Sequence, residues 1–167
     1  MIAMNDKAMC AIPIATVATN ATAKMSFSKI GNNGEKFDYA NILVHVGTSA
    51  TTSAVMSTLK VSESDSVSSV SSMTDIVALT GGTATSTSVG FVIPTSHAGG
   101  GNLVELRIDL RKRKKYLGLS LTPGQSLILG ATALLSRASE SQDTTTDAQI
   151  SNLESTSAVS VGKLVNG

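Results

Sequence analysis

The stretch LVELRIDLRKRKKYLGLSL, from Leu103 to Leu121, decides the fold that we predict for this chain. Each half places apolar residues at every second position, and these residues are Val104, Leu106, Ile108, Leu117, Leu119 and Leu121. A period of two is typical of a β-strand with one buried face. The alternate positions, among them Glu105 and Gly118, are then expected to face away from the core. We therefore predict two neighbouring strands of one sheet.

Five consecutive cations separate the two predicted strands, and we call the segment from Arg111 to Lys115 the basic loop. So many like charges cannot be buried without partners, so we expect this connection on the surface. It could be a solvated corner that protects a sheet edge from aggregation, a nucleic-acid site, or an ionic contact with an acidic protein surface. Only Tyr116 is adjacent for stacking on bases, which disfavours nucleic acid. The predicted partner-binding residues are Arg111, Lys112, Arg113, Lys114 and Lys115.

Composition favours strands over helices. Aromatic residues make up 3% of the 167 residues and charged residues 15%, so the core must consist of Val, Leu, Ile and Ala. The chain is rich in Ser and Thr, which together with β-branched residues favour strands and turns. The formal net charge of +1 by itself indicates no partner.

Further alternating segments lie along the chain. The patterns predict strands at Ala21–Ser28, Tyr39–Val46, from Leu59 onward, Val89–Ile93 and Leu127–Arg137. The segment Asp75–Leu79 fits either a helical turn or a strand. Turn residues such as Pro123-Gly124 recur roughly every ten residues, which indicates an antiparallel β-sandwich or jelly roll. The predicted fold class is therefore all-β.

The two ends differ in composition from the predicted body, which spans residues 19–137. Residues 1–18 are predicted to be an extended N-terminal arm, because Pro13 is incompatible with a regular helix or a central strand. Residues 138–167 are predicted to be a C-terminal tail, in which Thr146–Leu153 could form a short helix. The tail is acidic and the basic loop is mid-chain, which suits contact between copies of the protein.

The N-terminal segment shares some features with a signal peptide. Lys7 precedes the apolar run Ala8–Ala18, and Ala21-Thr22-Ala23 has the form of a cleavage site. Asp6 and Pro13 are unusual for such a peptide, so we expect no cleaved leader. The sequence contains no apolar run of 18 or more residues, so no membrane span is expected.

Residues that could carry chemistry are few. The histidines are His45 and His97, the only cysteine is Cys10, and neither a G-x-S-x-G motif nor a phosphate-binding glycine loop is present. Glu63 and Asp65 could offer oxygens to a calcium ion, although such a pair is more often a solvated loop. We therefore expect no enzymatic activity, no catalytic residues, no cofactor and no metal.

Several short segments together resemble one family. They are Ala21-Thr22-Ala23, Asp38-Tyr39-Ala40 before the strand ending at Gly47, Leu59-Lys60-Val61 before Glu63-Ser64-Asp65, Ile108 to Leu117, and Leu119-Ser120 before Pro123-Gly124. Their order and spacing, from Thr19 to Arg137, are similar to those of the jelly-roll cement, or decoration, proteins of tailed-bacteriophage heads. The arm and the tail lie outside this resemblance.

The resemblance implies a structural role in the virion. The protein would be made in the host cytoplasm and would bind the outside of an icosahedral head. There it would bridge and stabilise major capsid subunits as a dimer or trimer, with no nucleic-acid or membrane partner. The basic loop would contact an acidic capsid surface, and the N-terminal arm could add a strand to a neighbour's sheet. Alternatives are an adhesive module that binds a receptor or glycan on the virion surface, and a hydrolase that uses one of the serines.

Overall fold

The computed structural model describes residues 7–30, 36–47, 56–84, 86–93 and 101–138. These residues form an all-β sandwich of two packed sheets, as predicted. Its strands are β1 (Lys7–Val17), β2 (Ala23–Ser28), β3 (Phe37–Val46), β4 (Met56–Ser64), β5 (Thr74–Gly82), β6 (Phe91–Val92), β7 (Asn102–Asp109), β8 (Tyr116–Pro123) and β9 (Leu127–Ala138). A short 3-10 helix, η1 (Val70–Ser72), precedes β5.

Strands far apart in sequence pair with one another. One sheet, which we call sheet A, has the order β1-β9-β3-β7, and the other, sheet B, has the order β2-β8-β4-β5-β6. The pairs β1·β9, β2·β8, β3·β7 and β4·β5 are all antiparallel, and each pair encloses the next one in sequence. The described chain thus behaves like one long hairpin whose two arms are laid alternately into sheets A and B.

The core lies between the sheets and is mainly aliphatic, although Phe27, Phe37, Met25 and Met56 are also buried in it. Most of the alternating positions predicted to be buried are buried, including Ile42 and Val44 of β3 and Leu117 and Leu119 of β8, whereas Val104 of β7 is only partly buried. Each such side chain contributes roughly 1.5–3 kcal/mol on burial. Both sheets contribute further core residues, which include Met25, Phe27, Leu59, Val61, Leu106, Ile108, Leu121, Leu129, Ala131, Ala133 and Leu135.

The two strands that flank the basic loop are not neighbours in one sheet, so that prediction is wrong. Strand β7 lies at the edge of sheet A beside β3, whereas β8 lies in sheet B between β2 and β4. The basic loop therefore crosses from one sheet to the other. Leu110, fully buried, begins the crossing. Alternation identifies the buried face of a strand. Because both sheets bury one face against the same core, alternation does not indicate to which sheet a strand belongs.

Residues Lys7–Val17 are a strand of the sandwich and not an arm, which corrects the predicted boundary at residue 18. Strand β1 pairs with β9, and its register shifts between Cys10 and Ile12 and again between Ile12 and Ala15. Pro13 lies within this irregular part at the sheet edge, where a missing N–H breaks no ladder. The chain thus completes its own sheet with β1.

The outer face of sheet B is partly covered, which the sequence pattern did not predict. Gly118 and Ser120 were expected to face away from the core, yet both are buried. A Cβ at Gly118 would lie 2.8 Å from Met73 Sδ and 2.9 Å from Val70 Cγ1. The η1 segment therefore packs directly on β8, and only a glycine leaves room for it.

The remaining expectations have mixed outcomes. Asp75–Leu79, left open between a helical turn and a strand, belongs to β5. Strand β6 pairs with β5 in parallel over two residue pairs, an exception to the antiparallel pattern. The predicted tail beyond Ala138, with its possible helix, lies outside the described residues.

Candidate functional site

Charged side chains gather at one end of the sandwich because the nested pairing brings several strand termini together there. The ends of β2, β4, β7 and β9 meet the beginnings of β3 and β8. We call this region the charged end. Among the described residues its cations outnumber its carboxylates: the cations are Lys29, Lys36, Arg111, Lys112, Arg113, Lys114, Lys115 and Arg137, and the carboxylates are Asp38, Glu63, Asp65 and Asp109.

The backbone of the basic loop is fixed by neighbouring groups. The N–H of Leu110 donates to the carbonyl of Asp38 at 2.7 Å, and the N–H of Arg113 donates to the carbonyl of Leu110 at 3.0 Å, which closes a turn. Lys29 Nζ donates to the same Leu110 carbonyl at 3.2 Å and also to the carbonyl of Arg113. The buried Leu110 and the half-buried Lys29 ammonium group thus hold the basic loop in one conformation.

Two carboxylates from the end of β4 hold the second half of the basic loop. Glu63 Oε2 accepts from the N–H of Lys114 at 3.1 Å, and Glu63 Oε1 lies 3.5 Å from Arg113 Nη1. Asp65 Oδ1 accepts from the N–H of Lys115 at 3.1 Å. Both carboxylates are therefore used by the loop. This arrangement does not fit the calcium site considered from sequence, because a cation there would meet the positive loop.

Arg111 is held by the carboxylate at the end of β7. Arg111 Nε and Nη2 donate to the two Asp109 oxygens at 2.9 and 2.6 Å, and the Arg111 N–H donates to Asp109 Oδ1 at 3.0 Å. These hydrogen bonds from Arg111 lower the pKa of Asp109 to about 2 from its usual 3.8. The same contact raises the pKa of the Arg111 guanidinium. The pair therefore stays ionised throughout the physiological range.

Both tyrosines of the chain are in contact with cations at this end. The Arg111 guanidinium carbon lies 5.2 Å from the centre of the Tyr39 ring, and that of Arg137 lies 5.6 Å from it. Lys115 Nζ lies 4.9 Å from the centre of the Tyr116 ring. Such cation–π contacts are each worth about 0.5–1 kcal/mol at exposed sites. The tyrosine faces are thus in use within the protein and are less available to stack on bases or sugars.

The predicted site residues separate into two groups. The side chains of Arg111, Arg113 and Lys115 contact other parts of the charged end, as described above. The side chains of Lys112 and Lys114 are exposed and make no hydrogen bond or ion pair to another described residue. Lys36, which sequence reasoning missed, shares this property. Only the strand pairing places it beside the loop, so no local sequence signal could have identified it.

The other residues considered for chemistry are not brought together. His45 is exposed on the outer face of sheet A, near the end of β3. Cys10 belongs to β1, and His97 lies outside the described residues. Within the described ranges, no group of three or more His, Cys, Asp or Glu side chains could hold a metal ion.

The described part of the chain contains no helix of sufficient length and apolarity to cross a bilayer. No protein-family model, curated protein or solved structure matches the chain. The geometry of the charged end and the order of the strands are therefore the observations on which a function can be based.

Proposed function

We propose that this protein is a capsid cement protein: a jelly-roll subunit that binds the outer surface of an icosahedral phage head and stabilises contacts between major capsid subunits. The single observation that carries the proposal is the charged end. There the basic loop, held by neighbouring groups, presents Lys112 and Lys114, whose side chains make no hydrogen bond or ion pair to another described residue. The function is mechanical, and no catalytic residue, cofactor or metal takes part in it.

The nested strand pairs support the jelly-roll part of the proposal. A jelly roll is a long antiparallel ribbon wrapped into two packed sheets. The pairs β1·β9, β2·β8, β3·β7 and β4·β5 have the order that such wrapping produces. Strand β6 is an addition of two residues at the edge of sheet B. It does not interrupt the nesting.

The charge distribution favours an acidic protein surface as the partner. Nucleic-acid binding without sequence preference usually combines a basic groove with aromatic side chains on which bases stack. Here Tyr39 and Tyr116 already contact Arg111, Arg137 and Lys115. The available cations, Lys112 and Lys114, are point charges on flexible stems, which suit a solvated ionic contact with carboxylates.

Binding of this kind can stabilise a shell without large individual interfaces. A subunit that binds only the assembled shell stabilises it by mass action. Copies that engage several capsid subunits at once gain further from multivalency, as would the predicted dimer or trimer. The rigid loop limits the entropy that is lost when the lysines become ordered on the partner.

The proposal can be tested by cosedimentation of the protein with shells assembled from the major capsid protein of the same virus. Lys112→Glu/Lys114→Glu reverses both outward charges and leaves the internal contacts of Arg111 and Arg113 in place. We expect this variant to bind shells at least about tenfold more weakly, since each lost ionic contact contributes roughly 0.5–1 kcal/mol and each reversed charge is repelled.

Lys24→Glu is the matched control for charge reversal. Lys24 lies in β2, and its ammonium group contacts Ser71 on the outer face of sheet B, away from the charged end. Its reversal is expected to leave shell binding unchanged. Shell occupancy by Lys112→Glu/Lys114→Glu equal to that of the unaltered protein would refute the role of the basic loop. Retention of the protein on duplex DNA that declines with salt would instead favour a nucleic-acid partner.

A further inference from the structure

The four sheet edges differ in how well they are protected against pairing. Strand β1 contains Pro13 and two register shifts, and β2 carries Lys24 within its short length. On sheet B, β6 spans two residues, and β5 is irregular where its register with β4 shifts between Lys60 and Ser62. Proline, charged side chains (lysine above all), bulges and short length are the usual devices that prevent edge association.

Strand β7 contains no proline, no lysine and no register shift, and its charged side chains, Glu105, Arg107 and Asp109, are of both signs. It pairs with β3 over eight residue pairs without a register shift, and no other described strand pairs with its second edge. The N–H of Leu110 donates to the Asp38 carbonyl, so even-numbered residues of β7 direct their backbone groups to β3. The odd-numbered residues, Leu103, Glu105, Arg107 and Asp109, therefore direct theirs to the free edge.

The charges along this edge are self-complementary. Glu105 and Arg107 flank Leu106, near the middle of the strand, and both are exposed on the outer face of sheet A. In an antiparallel pair of two β7 strands centred on Leu106, Glu105 of each copy lies opposite Arg107 of the other. Opposite charges at directly opposed positions stabilise an antiparallel pair. The same register uses the whole length of β7 and gives hydrogen bonds to the odd-numbered residues.

One apolar side chain lies on the same edge. Leu103 of β7 is 60% exposed, on the outer face of sheet A together with Glu105 and Arg107. A second copy paired with β7 covers part of Leu103, which adds apolar area to the backbone hydrogen bonds.

We propose that two copies of this chain associate through their β7 strands, antiparallel and centred on Leu106, so that their A sheets form one continuous eight-stranded sheet. The two-fold axis runs through the Leu106 pair, and the interface is closed, as an isologous contact requires. Each Arg107 contacts its own Glu105, at 3.0 Å for both pairs of atoms, and the Glu105 of the second copy. The partner of this edge is thus identified as the chain itself.

Charge-swap variants of the full chain test this proposal by analytical ultracentrifugation. In Glu105→Arg, two arginines oppose each other twice in every dimer, and in Arg107→Glu two carboxylates do so. We expect each variant alone to have a dimer dissociation constant at least about tenfold higher than that of the unaltered chain. Mixing the two variants restores an attractive pair at both positions, so an equimolar mixture is expected to form a heterodimer.

Circular dichroism of each variant shows whether it is folded, and recovery on mixing cannot arise from misfolded chains. The proposal is overturned if the unaltered chain is monomeric at every concentration tested, if it forms a trimer, or if the mixture associates no better than the separate variants. Lys112→Glu/Lys114→Glu is expected to dimerise normally. Loss of shell binding and loss of dimerisation are therefore separate outcomes, and either proposal can fail without the other.

Discussion

Gly118→Ala tests the packing of the η1 segment on sheet B. The added Cβ would lie 2.8 Å from Met73 Sδ and 2.9 and 3.0 Å from the two Val70 methyl carbons. Met73 can move aside because its side chain is flexible. Rotation of Val70 about χ1 would leave at least one of its two methyl groups against the new Cβ, and this rotation is itself restricted.

The expected magnitude follows from two opposing terms. Overpacking a buried site costs about 1–3 kcal/mol. Replacing glycine by alanine restricts the unfolded chain, which offsets this by about 0.4–1 kcal/mol. We therefore expect Gly118→Ala to lower the free energy of unfolding by roughly 1–2 kcal/mol, with a decrease in Tm of about 5 °C. Denaturant titration followed by circular dichroism measures this change.

A double-mutant cycle with Val70→Ala identifies the cause. Removing the two methyl groups makes room for the new Cβ, so the double variant should be more stable than the sum of the single effects by about 1 kcal/mol. Additive effects, or a Gly118→Ala variant as stable as the unaltered chain, would show that η1 does not pack on β8 as described.

Three further predictions concern single polar groups. The folded-state pKa of Asp109 is depressed to about 2, so its contact with Arg111 is fully stabilising above about pH 4 and is lost as the pH falls to about 2. A carboxyl NMR titration should show a higher Asp109 pKa in Arg111→Gln, because the guanidinium hydrogen bonds are lost while the backbone hydrogen bond and the charge of Lys112 remain. An unchanged midpoint would contradict the pairing. Glu63→Ala removes the acceptor of the Lys114 N–H and should speed hydrogen exchange at that amide by at least about tenfold. Glu63→Gln keeps an oxygen acceptor and should have a smaller effect. Equal exchange rates in the two variants would count against this hydrogen bond. Ser62 is 1% exposed, and its hydroxyl has no hydrogen-bond partner among the described residues. Ser62→Ala should therefore raise the free energy of unfolding by up to about 1 kcal/mol. A decrease would mean that the hydroxyl is hydrogen-bonded.

The buried faces of the strands were predictable from sequence, because alternation is a local property. The pattern at Ala40, Ile42, Val44 and Val46 correctly identified the core face of β3. Sheet membership was not predictable in the same way. Residues on either side of Arg111–Lys115 have the same period whether the loop joins neighbours or crosses between sheets, and only the pairing of β7 with β3 and of β8 with β2 and β4 distinguishes the two.

The candidate site was predictable only in part, for the same reason. Five adjacent cations are conspicuous in the sequence, but their counter-charges Glu63 and Asp65 lie some fifty residues earlier. Nothing local indicated that these carboxylates bind the loop backbone, or that Lys29 and Lys36 lie beside it. The distinction between inward-held arginines and outward-facing lysines therefore required the three-dimensional structure.

The nested order of the strands has a consequence for how the chain acquires its structure. In sheet A, β1 and β3 pair only with β9 and β7, and in sheet B, β2 pairs only with β8. On a ribosome, the first three strands therefore emerge well before any segment that can complete their hydrogen bonds. The β4·β5 hairpin is the earliest pair available, and folding that depends on such distant contacts is intrinsically slow. Until the segment that forms β9 has left the exit tunnel, the aliphatic faces of the early strands stay unmatched, which is when a nascent chain most needs chaperones.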